Sequence, residues 1–326
     1  MSMRHAPCRP DRAAALAVAT VAVLALAACG SDDGEPKQGS RPVGGTSSSS
    51  ASEASDPPSA SAAGSTPEVR VLDTGAAPRR LLQLEVEEGH VETSTLRMTT
   101  TVSADVMSVP PITMPMEMPF TTTVTDVSGE QLTVESSYGA VSIPAGRGLD
   151  AASREQVLKA AGALEGVTIR TVLDRSARTV SSEVEGADGD GSQVVGRLLD
   201  DIASQSNNLS ILFPEEEVGV GARWRADSTI TIGGITFDMT STFELTGLTD
   251  DGYTVGVSVR QEPRPGTVTG GEVVDGSTTV TGTSEGRDGL VGPSRGTSKG
   301  HGSVTMKVGG QRVTTTFDMT MRLTTR

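Results

Sequence analysis

Aromatic residues make up only 2% of this 326-residue chain and Trp224 is the single tryptophan, so valine, leucine, isoleucine, methionine and threonine must supply most of any core. Cysteine is almost missing. The two present, Cys8 and Cys29, both precede residue 30, so the rest of the chain has no internal disulfide and depends on packing for its stability. Histidine is scarce too: beyond residue 30 only His90 and His301 occur, which all but excludes a zinc site of the Cys and His type. Positive charge is in deficit, with 27 Lys and Arg against 41 Asp and Glu and a net charge of -14. Such a surface repels nucleic acid and anionic headgroups, so neither is an expected partner. The chain also lacks a Gly-x-Ser-x-Gly elbow, a phosphate-binding loop and a dinucleotide fingerprint. No catalytic residue, cofactor or metal is assigned, and a non-enzymatic protein is expected.

What is present begins with Arg4, Arg9 and Arg12, continues with an apolar run from Ala13 to Ala28 and ends in Cys29. The run falls short of the roughly 20 residues of a comfortable membrane span and reads as an export signal, residues 1–28. Its end, Leu26-Ala27-Ala28-Cys29, resembles a bacterial lipobox. The resemblance implies cleavage before Cys29 and diacylation of its sulfur, hence a lipid anchor on the extracytoplasmic face of the cell membrane. Residues 29–67 are rich in Ser, Gly, Pro and Asp and cannot bury enough surface to offset their ordering entropy. They read as a flexible tether, with a reach of roughly 30 to 40 Å for a random coil of this length.

From residue 68 onward, threonine-rich windows alternate apolar and polar side chains, as in Thr95 to Val106, Phe120 to Asp126, Gln131 to Tyr138, Ile235 to Leu245, Tyr253 to Val259 and Val313 to Leu323. Alternation of branched residues predicts half-buried strands. Turn chemistry at Ser128-Gly129, Gly233-Gly234, Asp250-Asp251-Gly252 and Gly309-Gly310 makes antiparallel hairpins the local unit, with further hairpins expected over 167–184 and 278–291. Two segments read as amphipathic helices: Asp150 to Leu164, capped by Asp150 or Ser153 and ended by Gly166, and Ser192 to about Ser206. "ITFDMTSTFEL" (235–245) is echoed by "TTFDMTMRL" (315–323), which fits either a duplication or recurrent threonine-rich hairpins. The expected fold is mainly β (α+β): a curved antiparallel sheet or half-barrel of two similar hairpin-rich halves, 68–208 and 209–326, with about two helices packed on it.

The window "ILFPEEEVGVGARW", Ile211 to Trp224, resembles the Leu-Pro-x-x-x-Val-x-Val-Gly-x-x-Trp signature of a family of bacterial envelope lipoproteins, frequent in actinobacteria, that has no established activity. Leu212, Pro214, Val218, Val220, Gly221 and Trp224 match, while Phe213 departs from the pattern by standing between Leu and Pro. The resemblance implies a β-rich envelope protein. Physically the window reads as structural, with Pro214 starting a turn, glycines permitting close approach and Trp224 anchoring a strand. The architecture is also similar, at the level of fold, to lipid-carrying lipoproteins built as a half-barrel with helices across its mouth.

Polar motifs offer little. His90 and His301 lie in turn-like contexts, Asp188 and Asp190 have calcium-loop spacing without the rest of that loop, and Glu215 to Glu217 read as a solvated face. The methionines are more distinctive. In "ITMPMEMPF" an extended chain places Met114, Met116, Met118 and Phe120 on one face, between Pro115 and Pro119. Three thioethers suit Cu(I), though no histidine stands near to reinforce such a site. Two further readings are a core strip and an apolar-ligand rim made of Met107, Ile112, Met114, Met116, Met118 and Phe120. The leading functional expectation is a lipoprotein that binds or carries a lipid or other apolar molecule; the alternative is a structural or protein-interaction lipoprotein with no small ligand.

Overall fold

The computed structural model describes residues 67–105, 110–146, 149–162, 165–185, 211–232, 234–268 and 270–326. The export signal, Cys29, the tether up to residue 66, Met107, Leu164 and the helix expected over 192–206 lie outside them, as do Asp188 and Asp190. Among the described residues there is one helix, α1 (Ala151–Gly162), rather than about two, and thirteen strands. In chain order the strands are β1 (Glu68–Asp73), β2 (Val91–Ala104), β3 (Ile112–Ser128), β4 (Gln131–Tyr138), β5 (Thr168–Asp174), β6 (Thr179–Glu185), β7 (Arg223–Ile232), β8 (Ile235–Thr249), β9 (Gly252–Pro263), β10 (Gly266–Val268), β11 (Gly271–Arg287), β12 (Arg295–Val308) and β13 (Gln311–Thr325). All belong to one open antiparallel sheet in the order β1-β7-β8-β9-β11-β12-β13-β2-β3-β4-β5-β6, with the short β10 paired to β11. The runs β2 to β6 and β7 to β13 are each local, and the β13 to β2 pairing joins them across the middle.

The segment 278–291, expected to form its own hairpin, instead supplies the second half of the long strand β11 and part of the connection to β12. Glycine density is the reason for the difference. Gly282 and Gly286 sit inside β11, and Gly296, Gly300 and Gly302 inside β12. A side chain at Gly286 would run into the ring of Tyr253, and one at Gly302 into the ring of Phe317. Gly286 and Gly302 are therefore positions covered by an aromatic ring from a neighbouring strand, and Gly282 is one where the β12 backbone comes close, uses of strand glycine that local sequence reading mistakes for a turn. Genuine turns keep the left-handed backbone that glycine adopts without strain, as at Gly309 (φ 57°) and Gly310 (φ 85°) between β12 and β13.

Proline within β3 has an equally local explanation. Glu117 exchanges backbone hydrogen bonds with Ser142 (2.9 Å each way), and Pro119 accepts one from Gly139 (2.9 Å). Because backbone groups alternate sides along a strand, Pro115 and Pro119 direct their missing donors away from β2, and the β2 to β3 register runs unbroken from Val91 opposite Thr123 to Val102 opposite Ile112. Regular pairing with β4 stops at Phe120 opposite Tyr138. Beyond it the chain leaves the sheet and leads into α1, where the Asp150 carboxylate accepts the Ser153 backbone N–H at 2.7 Å and caps the helix. That hydrogen bond also holds the Asp150 carboxyl below its ordinary range.

Two flanks of the sheet share one core. Val124, Leu132, Val134 and Leu173 from β3 to β5 join Trp224, Phe243, Leu245 and Val255 from β7 to β9 in a single buried cluster. Two extended segments complete it, Leu82 to Val86 and Ile211 to Val218, the latter hydrogen-bonded to the β5 to β6 turn through Phe213 N–H and Ser176 C=O (2.9 Å). Strands far apart in the sheet order thus pack against a common filling, on the face that also carries Met114 and Met116.

Candidate functional site: the inner face of the sheet

Register fixes which side chains share that inner face. Met116 on β3 stands opposite Met98 on β2, and Met98 opposite Met321 on β13. A second row joins Met118, Leu96 and Leu323; a third joins Met114, Thr100 and Met319. Across β12 these rows continue over Ser298, Gly296 and Gly300. The inner surface over β3, β2 and β13 is consequently mostly apolar and rich in methionine.

Burial divides these residues. Met114 and Met116 are each 6% exposed and pack with Ile143, Val167 and the α1 residues Val157 and Ala161. The helix lies over them. Ile112, Met118 and Phe120 remain half-buried, as do Leu96, Met98, Met319, Met321 and Leu323. Of the six residues grouped as a rim, the structure therefore places Ile112 to Phe120 along one face of one strand and covers two of them with α1; Met107 lies outside the described residues. The partners on β2 and β13 were missed as members of this surface. Their alternation marked them as strand residues, but nothing local in the sequence says that β13 lies against β2.

The signature window sits at the filled end. Leu212, Pro214, Val218 and Trp224 are buried, whereas Val220 is exposed and Gly221 takes φ 88°. The Trp224 indole donates its N–H to the Leu212 carbonyl at 2.7 Å and stacks on Phe243 (centroids 5.5 Å apart), so the two ends of the window hold each other. Phe213, the departure from the pattern, is 2% exposed and meets Tyr253 edge to face. Burial, with some help from Asp288, raises the Tyr253 phenol well above the ordinary tyrosine value.

Titratable groups gather in two other places. Glu92 is buried on the inner face at the end of β2, where its carboxylate accepts the backbone N–H groups of Val291 and Gly292, and His90 Nε2 lies 3.3 Å from it. This arrangement ties the 288–294 connection to β2. His301 Nδ1 and Asp318 are 2.9 Å apart as exposed cross-strand neighbours on the outer face. The two histidines are thus in separate settings, on opposite faces of the sheet. Among the described residues no group of three or more His, Cys, Asp and Glu side chains is arranged to hold a metal ion, and no helix is long and apolar enough to cross a membrane.

No protein-family model and no curated protein matches the chain. Among solved structures, a chain described as "Asymmetric conductivity of engineered proteins" is 10% identical, with 72% of this chain and 100% of its own length covered at a TM-score of 0.23. Neither fold kinship nor function follows from a likeness at that level.

Proposed function

We propose that the protein is a lipoprotein anchored to the extracytoplasmic face of the cell membrane through diacylated Cys29, and that it binds a lipid or similar apolar molecule against the inner face of its sheet without acting on it chemically. One observation supports this above the rest: a methionine-rich surface of half-buried side chains, Leu96, Met118, Met319, Met321 and Leu323, runs across three adjacent strands beside glycine-bearing strands, next to Met98, which packs toward α1. Contiguous apolar surface of this kind calls for a partner, and flexible thioethers accommodate chains of varied shape. The finer architecture that goes with this reading is a half-barrel of two related halves. The tether suits a binder that must reach beyond the bilayer surface.

The test is a fluorescence titration of the exported chain, carrying Cys29→Ser, with a naturally fluorescent polyene fatty acid. Saturable binding is expected, weakened about tenfold or more by Met321→Glu or Leu323→Glu, because each buries a charge against the acyl chain. Thr320→Glu, pointing out of the opposite face, leaves the affinity unchanged. No saturable binding, or equal losses from all three substitutions, would contradict the proposal and favour a structural or protein-interaction role.

A further inference from the structure

The opposite, outer face of the same middle strands carries an arrangement that apolar binding does not use. Arg97 on β2 stands directly across from Arg322 on β13, and Lys299 on β12 lies one row further along, across from Thr320. Together with Thr99 and Thr281 these side chains line a groove of about 690 Å³. Like charges directly opposite one another on a sheet destabilise it, and this chain is otherwise acidic, so three converging cations need compensation. Little is supplied from within. Glu117 pairs with Arg97 (2.8 Å), and Asp318, the next carboxylate along the face, is engaged by His301; among the described residues neither Lys299 nor Arg322 has an ion-pair partner.

We infer that this groove binds a compact phosphate-bearing solute. The guanidinium of Arg322 and the ammonium of Lys299 supply charge-assisted hydrogen bonds, and the threonine hydroxyls between them can donate to the remaining phosphate oxygens. The volume suits a small molecule. A bilayer surface is a poorer occupant, because the chain's net charge of -14 opposes an extended anionic plane, whereas a small anion inside the groove feels chiefly the charges within a Debye length of about 8 Å. This site lies on the other side of the sheet from the proposed apolar surface and stands or falls independently of it.

Isothermal titration of the chain carrying Cys29→Ser with inorganic pyrophosphate tests the inference. Binding is expected at low ionic strength and falls as salt is added; Lys299→Ala and Arg322→Ala each weaken it about tenfold or more, in line with the loss of one charge-assisted hydrogen bond. Arg225→Ala, an exposed arginine paired with Asp227 on the distant strand β7, leaves it unchanged. The inference is overturned by absence of binding at millimolar pyrophosphate, by equal effects of all three substitutions, or by capture on phosphatidylglycerol vesicles through Lys299 and Arg322 without any affinity for pyrophosphate.

Discussion

Trp224 shows how much one residue can carry in a chain so poor in aromatics. It is fully buried, stacked on Phe243 and hydrogen-bonded to Leu212. Trp224→Phe removes the indole donor and should cost about 1–3 kcal/mol, whereas Trp224→Ala also opens a cavity and should cost about 3–5 kcal/mol; urea unfolding distinguishes the two. Tyr253 permits a prediction in pH. Its phenol is raised by burial, so the folded state keeps a proton that the unfolded state releases above a pH of about 10. Stability attributable to this group is therefore complete below that pH and declines as pH rises beyond it. Tyr253→Phe should flatten the alkaline decline in melting temperature. Residue roles of this kind were partly legible: Trp224 as a core anchor follows from its type, but the phenol's surroundings depend on Phe213 and Gly286, which are distant in sequence.

Among the elements, α1 was the more fully legible. Its cap and its inward residues Val157 and Ala161 follow from local spacing, whereas α1 runs Ala151–Gly162 and Gly166 (φ 80°), expected to terminate it, stands in the turn beyond and bonds to Tyr138. Because the cap is a carboxylate whose ionised form the Ser153 N–H favours, its contribution is present above the unfolded carboxyl value and is lost as pH falls. Asp150→Ala should lower the melting temperature at neutral pH and have a smaller effect in acid, while Asp150→Asn, which still offers an oxygen, should be milder. At the β12 to β13 turn, Gly310→Ala should destabilise by about 1 kcal/mol through backbone strain alone, since no neighbour obstructs the new methyl group. The glycines of strand β11 resemble turn chemistry locally; only the Tyr253 ring over Gly286 and the β12 backbone against Gly276 and Gly282 explain them. The prolines of β3 likewise become intelligible once the side of the strand facing each missing donor is known.

For the molecule as a whole, strand alternation reveals which face a residue takes but not which strand stands beside it. Hence the β-rich class was legible and the order of the sheet was not. The β13 to β2 pairing, which brings Met319, Met321 and Leu323 alongside Leu96 and Met98, joins segments more than two hundred residues apart through a register that no local signal encodes. The methionine row on β3 was therefore visible as a stripe, while the surface it belongs to was not. With no cysteine beyond residue 29, unfolding of the chain carrying Cys29→Ser should be unaffected by reductant. The central claim is that the inner face holds an apolar molecule, and native mass spectrometry of the chain carrying Cys29→Ser, exported by an actinobacterial host and followed by organic extraction, addresses it most directly. The account predicts extra mass released as lipid by the solvent, and lost in Met321→Glu while the fold, judged by circular dichroism, persists. A clean apo mass accompanied by a cooperative thermal transition would contradict it.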